Sequence, residues 1–416
     1  MTRASAIATA DEGSIRYAGW RIVAVCFVMA TFSWGLGFYG QSVYLPELQR
    51  LHGWQTSWIS SATTIYYLVG AALVVFVGDA IGQFGARACL IAGVICMAAA
   101  TALLGHIDAL WQLYAVYALL ACGWAGTSLG AITNTLGLWF DRKRGMAISL
   151  ALNGASCGGI VGVPLLTAAI AHWQFTGAML AAAATALVLL VPLIGLAVGT
   201  PPTRPHAPET PGANGSPSAT RIRAMAFRDV AFLTLAIAFA LVLFAQVGVI
   251  VHLIAFLDPV VGREHAAIAV ALLTAMAVIG RLLFSTVIDR LNQRLASALS
   301  FASQALALAI LINFGNAYAV YFACALFGFS VGNLITLPAL IVQRDFPAEA
   351  FGVLISLNTA IAQVTYAFGP GVIGVLRDLT GGYGVPFTMC IALQLIAAAL
   401  IMVRGRAADP RRPAAA

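Results

Sequence analysis

Gly280-Arg281-Leu282-Leu283-Phe284-Ser285-Thr286-Val287-Ile288-Asp289-Arg290-Leu291-Asn292-Gln293-Arg294 is the stretch that decides the fold. It leaves an apolar segment, 266–288, and enters a short charged loop. Arg281 lies inside the apolar part, eight residues before Asp289. At about 1.5 Å per helical residue that is ~12 Å of depth, near the middle of a hydrocarbon core. A guanidinium there is costly, so it faces a cavity or a partner and is a functional-site candidate. The charged tail, with Asp289, Arg290 and Arg294, reads as a tight loop between two membrane helices.

The whole chain agrees with that reading. Of its 416 residues, 61% are hydrophobic and 9% charged, which excludes an ordinary soluble globule and points to a polytopic membrane protein. The apolar segments are long and lack period-two alternation, so helices are expected and an outer-membrane barrel is not. Residues 1–19 are polar and mixed, without the apolar run of a cleaved signal peptide. The seven cysteines lie in apolar segments and form no CxxC, so they read as packing residues and not as disulfides or a metal site. The net charge of +7 reflects topology and does not indicate nucleic acid.

Twelve spans are predicted: 20–45, 57–78, 87–105, 110–138, 145–170, 176–199, 229–257, 265–288, 296–314, 317–342, 351–376 and 385–403. An even number puts both termini on one side. Of the 22 Lys and Arg, eighteen then fall on the side of the termini, and Arg50, Arg263 and Arg377 on the other. The positive-inside rule makes the first side cytoplasmic, so a multi-pass protein of the inner (plasma) membrane with both termini in the cytoplasm is expected.

The chain divides into a tail (1–19), a six-helix bundle (20–199), a flexible Pro-rich linker (200–228), a second six-helix bundle (229–403) and a second tail (404–416). The halves repeat. Gly145-Met146-Ala147-Ile148-Ser149-Leu150 matches Gly352-Val353-Leu354-Ile355-Ser356-Leu357 at an offset of 207. The loop 78–87 aligns with 285–294 at the same offset. Parallel six-span repeats point to a transporter with its site between them.

The span order and the loops after spans two and eight resemble the major facilitator superfamily over essentially the whole chain. Two stretches are similar to its monocarboxylate-transporter and oxalate/formate-antiporter branch. One is Gly53-Trp54 with Ser57-Trp58-Ile59-Ser60-Ser61, and the other runs from Trp139-Phe140-Asp141 to Gly145-Met146-Ala147. Gly280-Arg281 and Val251-His252-Leu253 are at home there too. The resemblance implies a major facilitator fold: an all-α membrane protein of two pseudo-symmetric six-helix bundles. There are departures. The first copy of the repeated loop has Gly82 and Gln83 where the family carries an acid and a base, which the second copy keeps as Asp289-Arg290. The residue one turn before Arg281 is Ala277, where monocarboxylate carriers commonly have an aspartate. Gln41 stands where a lysine is common. Span eleven has no Lys or Arg, unlike oxalate exchangers.

Arg281 leads the candidate residues, as a cation whose planar fork can hold a carboxylate with two hydrogen bonds. Thr274, Ala277 and Ser285 share its helical face. No Asp or Glu lies inside a predicted span, so His252 is the one intramembrane titratable candidate for proton coupling, against a structural histidine. Polar stripes in span one (Ser33, Gly37, Gln41, Tyr44) and span eleven (Thr359, Gln363, Tyr366), with Tyr66, Gln246 and Asn333, read either as cavity lining or as helix–helix hydrogen bonding. Asp289, Arg290 and Arg294 are the expected gating residues.

The resulting expectation is a secondary active transporter, not an enzyme, moving a small organic anion by alternating access. A single cavity cation suits a monocarboxylate. Protons or a counter-transported anion would couple the movement, the protein would act as a monomer in the lipid bilayer, and neither cofactor nor metal is implied. There is no P-loop, so ATP does not drive it directly. The alternatives are efflux of uncharged or amphipathic molecules and a non-transporting membrane receptor; the second predicts a large soluble output domain, whereas the longest loop here is a short Pro-rich linker.

Overall fold

The computed structural model describes residues 12, 14, 17–199, 219–287 and 291–403. Four helical spans open the chain: α1 (Gly19–His52), α2 (Thr56–Val74), α3 (Ala86–Leu104) and α4 (Leu110–Trp139). A helical run of 54 residues follows, Arg144–Ala197. At about 1.5 Å per residue it is more than twice the ~30 Å of a hydrocarbon core. Gln174 breaks it, with φ 58° and ψ 174°. The run is therefore two spans, α5 (144–173) and α6 (175–197). The second half contains α7 (Val230–Val261), α8 (Arg263–Val287), α9 (Gln293–Asn313), α10 (317–345), α11 (Phe351–Thr380) and α12 (Gly384–Met402). Among the described residues, eleven apolar runs thus make the twelve expected spans.

Several boundaries differ from expectation for local reasons. α1 runs on past 45 to His52, because Pro46 is accommodated inside the helix. Part of the expected linker is helical, at Ala219–Ala226, while 200–218 and the tail 404–416 lie outside the described residues. Near the start of the chain, the Glu12 carboxylate accepts from the backbone N–H groups of Asp141 and Lys143 at 2.8 and 2.9 Å. Short polar residues set several helix starts. Asp229 accepts from Ala231 N–H at 2.7 Å, Asn292 from Arg294 N–H at 3.1 Å and Asn316 from Ala319 N–H at 2.9 Å. Gly262, at φ +80°, makes the left-handed turn between α7 and α8.

By their contacts the residues form two units. One holds the chain up to Gly40, Val69–Gly162 and Ala169–Pro205; the other holds Gln41–Leu68, Val163–Ala168 and the chain from His206. In the first, α1 and α5 meet where both leave α-helical geometry, at the π-helical turns Ser33–Tyr39 and Gly158–Gly162. Pro164 cannot donate to the Ile160 carbonyl, which accounts for the second of these. A Cβ on Gly158 would lie 2.6 Å from both Gly35 N and Thr31 O, so only a hydrogen fits. In the second unit α7 and α11 meet in the same manner, a Cβ on Gly248 falling 3.0 Å from the Gly369 carbonyl carbon. Phe232, Phe239, Phe301 and Leu337 are fully buried there, with Phe239 and Phe301 edge to face at 5.3 Å.

The second unit contains the last part of α1 and the first part of α2, not only the second half of the chain. The reason is visible along α2. A Cβ on Gly374 of α11 would lie 2.7 Å from Ser60 Oγ, and one on Gly371 2.7 Å from Thr64 Oγ1. The Asp378 carboxylate, at the far end of α11, accepts from Ser57 N–H at 2.7 Å and so caps the start of α2.

Candidate functional site

Arg281 projects from α8 onto a break in α10. α10 is α-helical over Ala317–Val331, 3₁₀ over Gly332–Ile335, and α-helical again over Leu337–Asp345. Pro338 has no N–H to give to the carbonyl four residues earlier, so the ladder cannot run through. Thr336 N–H bonds to the Asn333 carbonyl at 3.1 Å, one residue short of the α-helical partner. That leaves the Gly332 carbonyl for Arg281, whose Nε donates to it at 3.3 Å. Arg281 is half-buried, and Thr274 and Ala277 of its face are buried. The Thr274 hydroxyl is used locally, on the Val270 carbonyl at 2.7 Å. Asn333, beside the contact, is 2% exposed; its Nδ2 donates to the Phe329 carbonyl at 3.3 Å and its Oδ1 has no hydrogen-bond partner. A cation beside broken-helix backbone at membrane depth is chemistry suited to holding a small anion.

The other expected residues fall into separate groups. On α11, Gln363 and Tyr366 are hydrogen-bonded to each other, and the Tyr366 ring meets Tyr67 edge-on at 5.6 Å. Tyr66 is fully buried, its ring 4.9 Å from that of Tyr67. Gln41 is buried and accepts from Thr63 Oγ1 at 3.4 Å, across to α2.

Gln246 and His252 are occupied by helix–helix hydrogen bonds. Gln304 Nε2 of α9 donates to Gln246 Oε1 at 3.2 Å, and Gln394 Nε2 of α12 to Gln304 Oε1 at 3.1 Å, a buried amide ladder through three helices. His252 is fully buried. Its Nε2 lies 3.0 Å from the Pro370 carbonyl and 3.3 Å from Ser60 Oγ, and its Nδ1 3.2 Å from the Tyr383 hydroxyl. Burial pushes the pKa of Tyr383, between α11 and α12, above its ordinary value, so that phenol stays protonated. The consistent tautomer has Tyr383 donating to Nδ1 and Nε2–H donating to Pro370.

Of the expected gating residues, Asp289 and Arg290 lie outside the described residues. Arg294 is 4% exposed and acts as a clamp between helix ends. Its Nε donates to Asp345 Oδ2 at 2.9 Å, Nη1 to the Ile401 carbonyl at 3.1 Å and Nη2 to the Ala231 carbonyl at 3.3 Å. These tie α9 to the ends of α7, α10 and α12. Arg294→Ala is expected to destabilise the protein by about 3 kcal/mol, because it strands three acceptors. The Asp345 carboxylate is 26% exposed, which keeps the cost below that of a fully buried pair. A melting temperature in detergent equal to wild type would refute the clamp.

Sequence reasoning missed Glu47. Against the expectation of no acid within a span, it is a carboxylate inside α1 and 1% exposed. Arg50 Nη2 lies 2.9 Å from it, and Arg263 at the start of α8 pairs with it as well. The available signal was the i, i+3 spacing of Glu47 and Arg50, which continues a helix past Pro46. Also missed were Asp378, and Asn358 on α11, buried with its Oδ1 unpartnered.

Known proteins place this architecture. The chain is similar to monocarboxylate transporter 12-B of Danio rerio, 25% identical over 92% of this chain and 86% of that one. It is similar to the aspyridones efflux protein apdF of Emericella nidulans, 22% identical over 89% of this chain and 72% of that one. In fold it matches the crystal structure of the nucleoside transporter NupG (D323A mutant), with a TM-score of 0.75 at 12% identity, over 92% of this chain and 99% of that one. The family description "Major Facilitator Superfamily" fits residues 23–370. Twelve spans, a repeated six-helix half and a match over most of its length make this chain a member of the Major Facilitator Superfamily, a multi-pass membrane transporter and not an enzyme.

Proposed function

We propose that the protein carries a small organic anion, a monocarboxylate, by alternating access, with Arg281 as the group that binds the carboxylate. The observation that carries this reading is a guanidinium within an apolar span, set against the Gly332 carbonyl at the break in α10. A bound carboxylate would neutralise it and favour the occluded state. Asn333 Oδ1, an acceptor, would take a hydrogen bond from Arg281 or from a hydroxyl on the substrate and not from its carboxylate, and Gln41, Tyr66, Gln363 and Tyr366 would select size and polarity. The similarity to a protein named as a monocarboxylate transporter supports the class. We place the protein in the inner membrane, both termini cytoplasmic, on the distribution of Lys and Arg.

The test is uptake of labelled monocarboxylates and dicarboxylates into proteoliposomes, with and without a pH gradient and with and without internal anion. Saturable uptake of monocarboxylates over dicarboxylates is the expected result. Stimulation by the gradient would identify symport, and stimulation by internal anion would identify exchange. The similarity to a named efflux protein favours a second reading, export of uncharged or amphipathic compounds. Absence of uptake of every anion by folded protein would sink the carboxylate assignment and leave that one.

A further inference from the structure

At the His52 end of α1, four charged side chains from three helices share their partners. Glu47 and Arg50 belong to α1, Asp258 to the end of α7 and Arg263 to the start of α8. Arg50 bonds Glu47 Oε2 through Nε and Nη2, at 3.2 and 2.9 Å. Arg263 bonds Asp258 Oδ2 through Nε and Nη2, at 3.3 and 2.9 Å, and pairs with Glu47 through Nη1. The Glu47–Arg263 contact is thus the one that ties α1 to the α7–α8 turn. Each partner also holds an opposite charge from its own side of the contact.

We propose that Glu47 and Arg263 are gating residues that work by exchange of partners. While the Glu47–Arg263 contact is made, as here, Arg263 is shared between Glu47 and Asp258. When α1 moves away from α8, Glu47 keeps Arg50 and Arg263 keeps Asp258, so neither charge is left bare in a low-dielectric place. A plain buried ion pair resists separation because each charge is stranded by it. The duplicated partners lower that resistance in both directions, which a transport cycle requires. The neighbouring contacts at this end, Asp378 on Ser57 N–H and His252 beside Ser60, are hydrogen bonds between close-packed helices and would part in the same movement. The inference does not depend on what is transported.

The test reads access to Thr64, which lies on α2 two turns inward of Thr56 against Gly371. Thr64→Cys is introduced into the full chain and labelled with a membrane-impermeant maleimide, in sealed spheroplasts and in inverted vesicles. The seven native cysteines set the background, measured in parallel. Glu47→Gln should raise the labelling rate by about 5-fold or more from one side only, the scale of an ordinary coupling between two states. Asp258→Asn, which removes only the alternative partner of Arg263, should label at or below the wild-type rate. The exchanged pair Glu47→Arg with Arg263→Glu sets like charges beside Arg50 and Asp258, so opening strands both, and it should also label no faster than wild type. A wild-type rate in Glu47→Gln would overturn the proposal. So would Asp258→Asn labelling as fast as Glu47→Gln, since an ordinary structural ion pair gives no reason for the two acids to act in opposite directions.

Discussion

Arg281→Ala is expected to abolish saturable monocarboxylate uptake, by about 100-fold or more in Vmax/KM, without unfolding the protein. Losing a charge-assisted, bidentate contact in a desolvated site costs about 3 kcal/mol or more, which is two orders of magnitude or more in affinity. The same substitution removes a guanidinium from membrane depth, which is itself costly to hold there. It strands, among its partners, the Gly332 carbonyl, a neutral acceptor in an already irregular turn. Thermal stability in detergent should therefore be close to wild type while transport is gone. Arg281→Lys keeps the charge but not the planar fork and should recover part of the loss, with the defect mostly in KM. Uptake within about tenfold of wild type in Arg281→Ala would move the substrate cation elsewhere.

Gly328→Val is expected to cost the most stability of any single substitution considered, about 3 kcal/mol or more. The crossing of α8 and α10 is made by three glycines on carbonyl oxygens: Gly280 on Phe329, Gly328 on Leu273 and Gly332 on Ala277. A Cβ at any of them would overlap the oxygen it faces. Those oxygens are backbone, so no side-chain rotation relieves the clash, and the two helices must part. In a bilayer, close packing is a large share of what holds helices together. Parting them also withdraws Gly332 from Arg281, so transport should fall together with the melting temperature. Gly352→Ala is the control, because nothing lies within 4 Å of its Cβ position. Equal melting temperatures for the two variants would refute the crossing.

Much of this architecture could be read in the chain. Apolar length marked the spans. The turn at Gln174 fell in the gap left between the fifth and sixth spans. Arg281 was legible because one charge in an apolar run is conspicuous. Its partner was not, since freeing the Gly332 carbonyl depends on how Pro338 reroutes the hydrogen bonds of another helix. Polar residues posed the harder problem. Gln246 carries the same letter whether it faces a cavity or a ladder, and its partners Gln304 and Gln394 lie 58 residues away and a further 90 beyond that. Arg294 read as a gate from its place in a repeated loop, yet its donors go to Asp345, Ile401 and Ala231, all in the second half of the chain. Glu47 was hidden by a span cut at residue 45, two residues short of it, whereas the helix runs on through Pro46.

The capping of α2 by Asp378 has a consequence for biogenesis. The two residues of that hydrogen bond are 321 positions apart, so α2 leaves the ribosome long before its cap exists. Its first amide groups must wait in the membrane for the end of α11 to be synthesised. The first six helices made alone carry those debts unsettled, and their maturation is completed by the arrival of the second six.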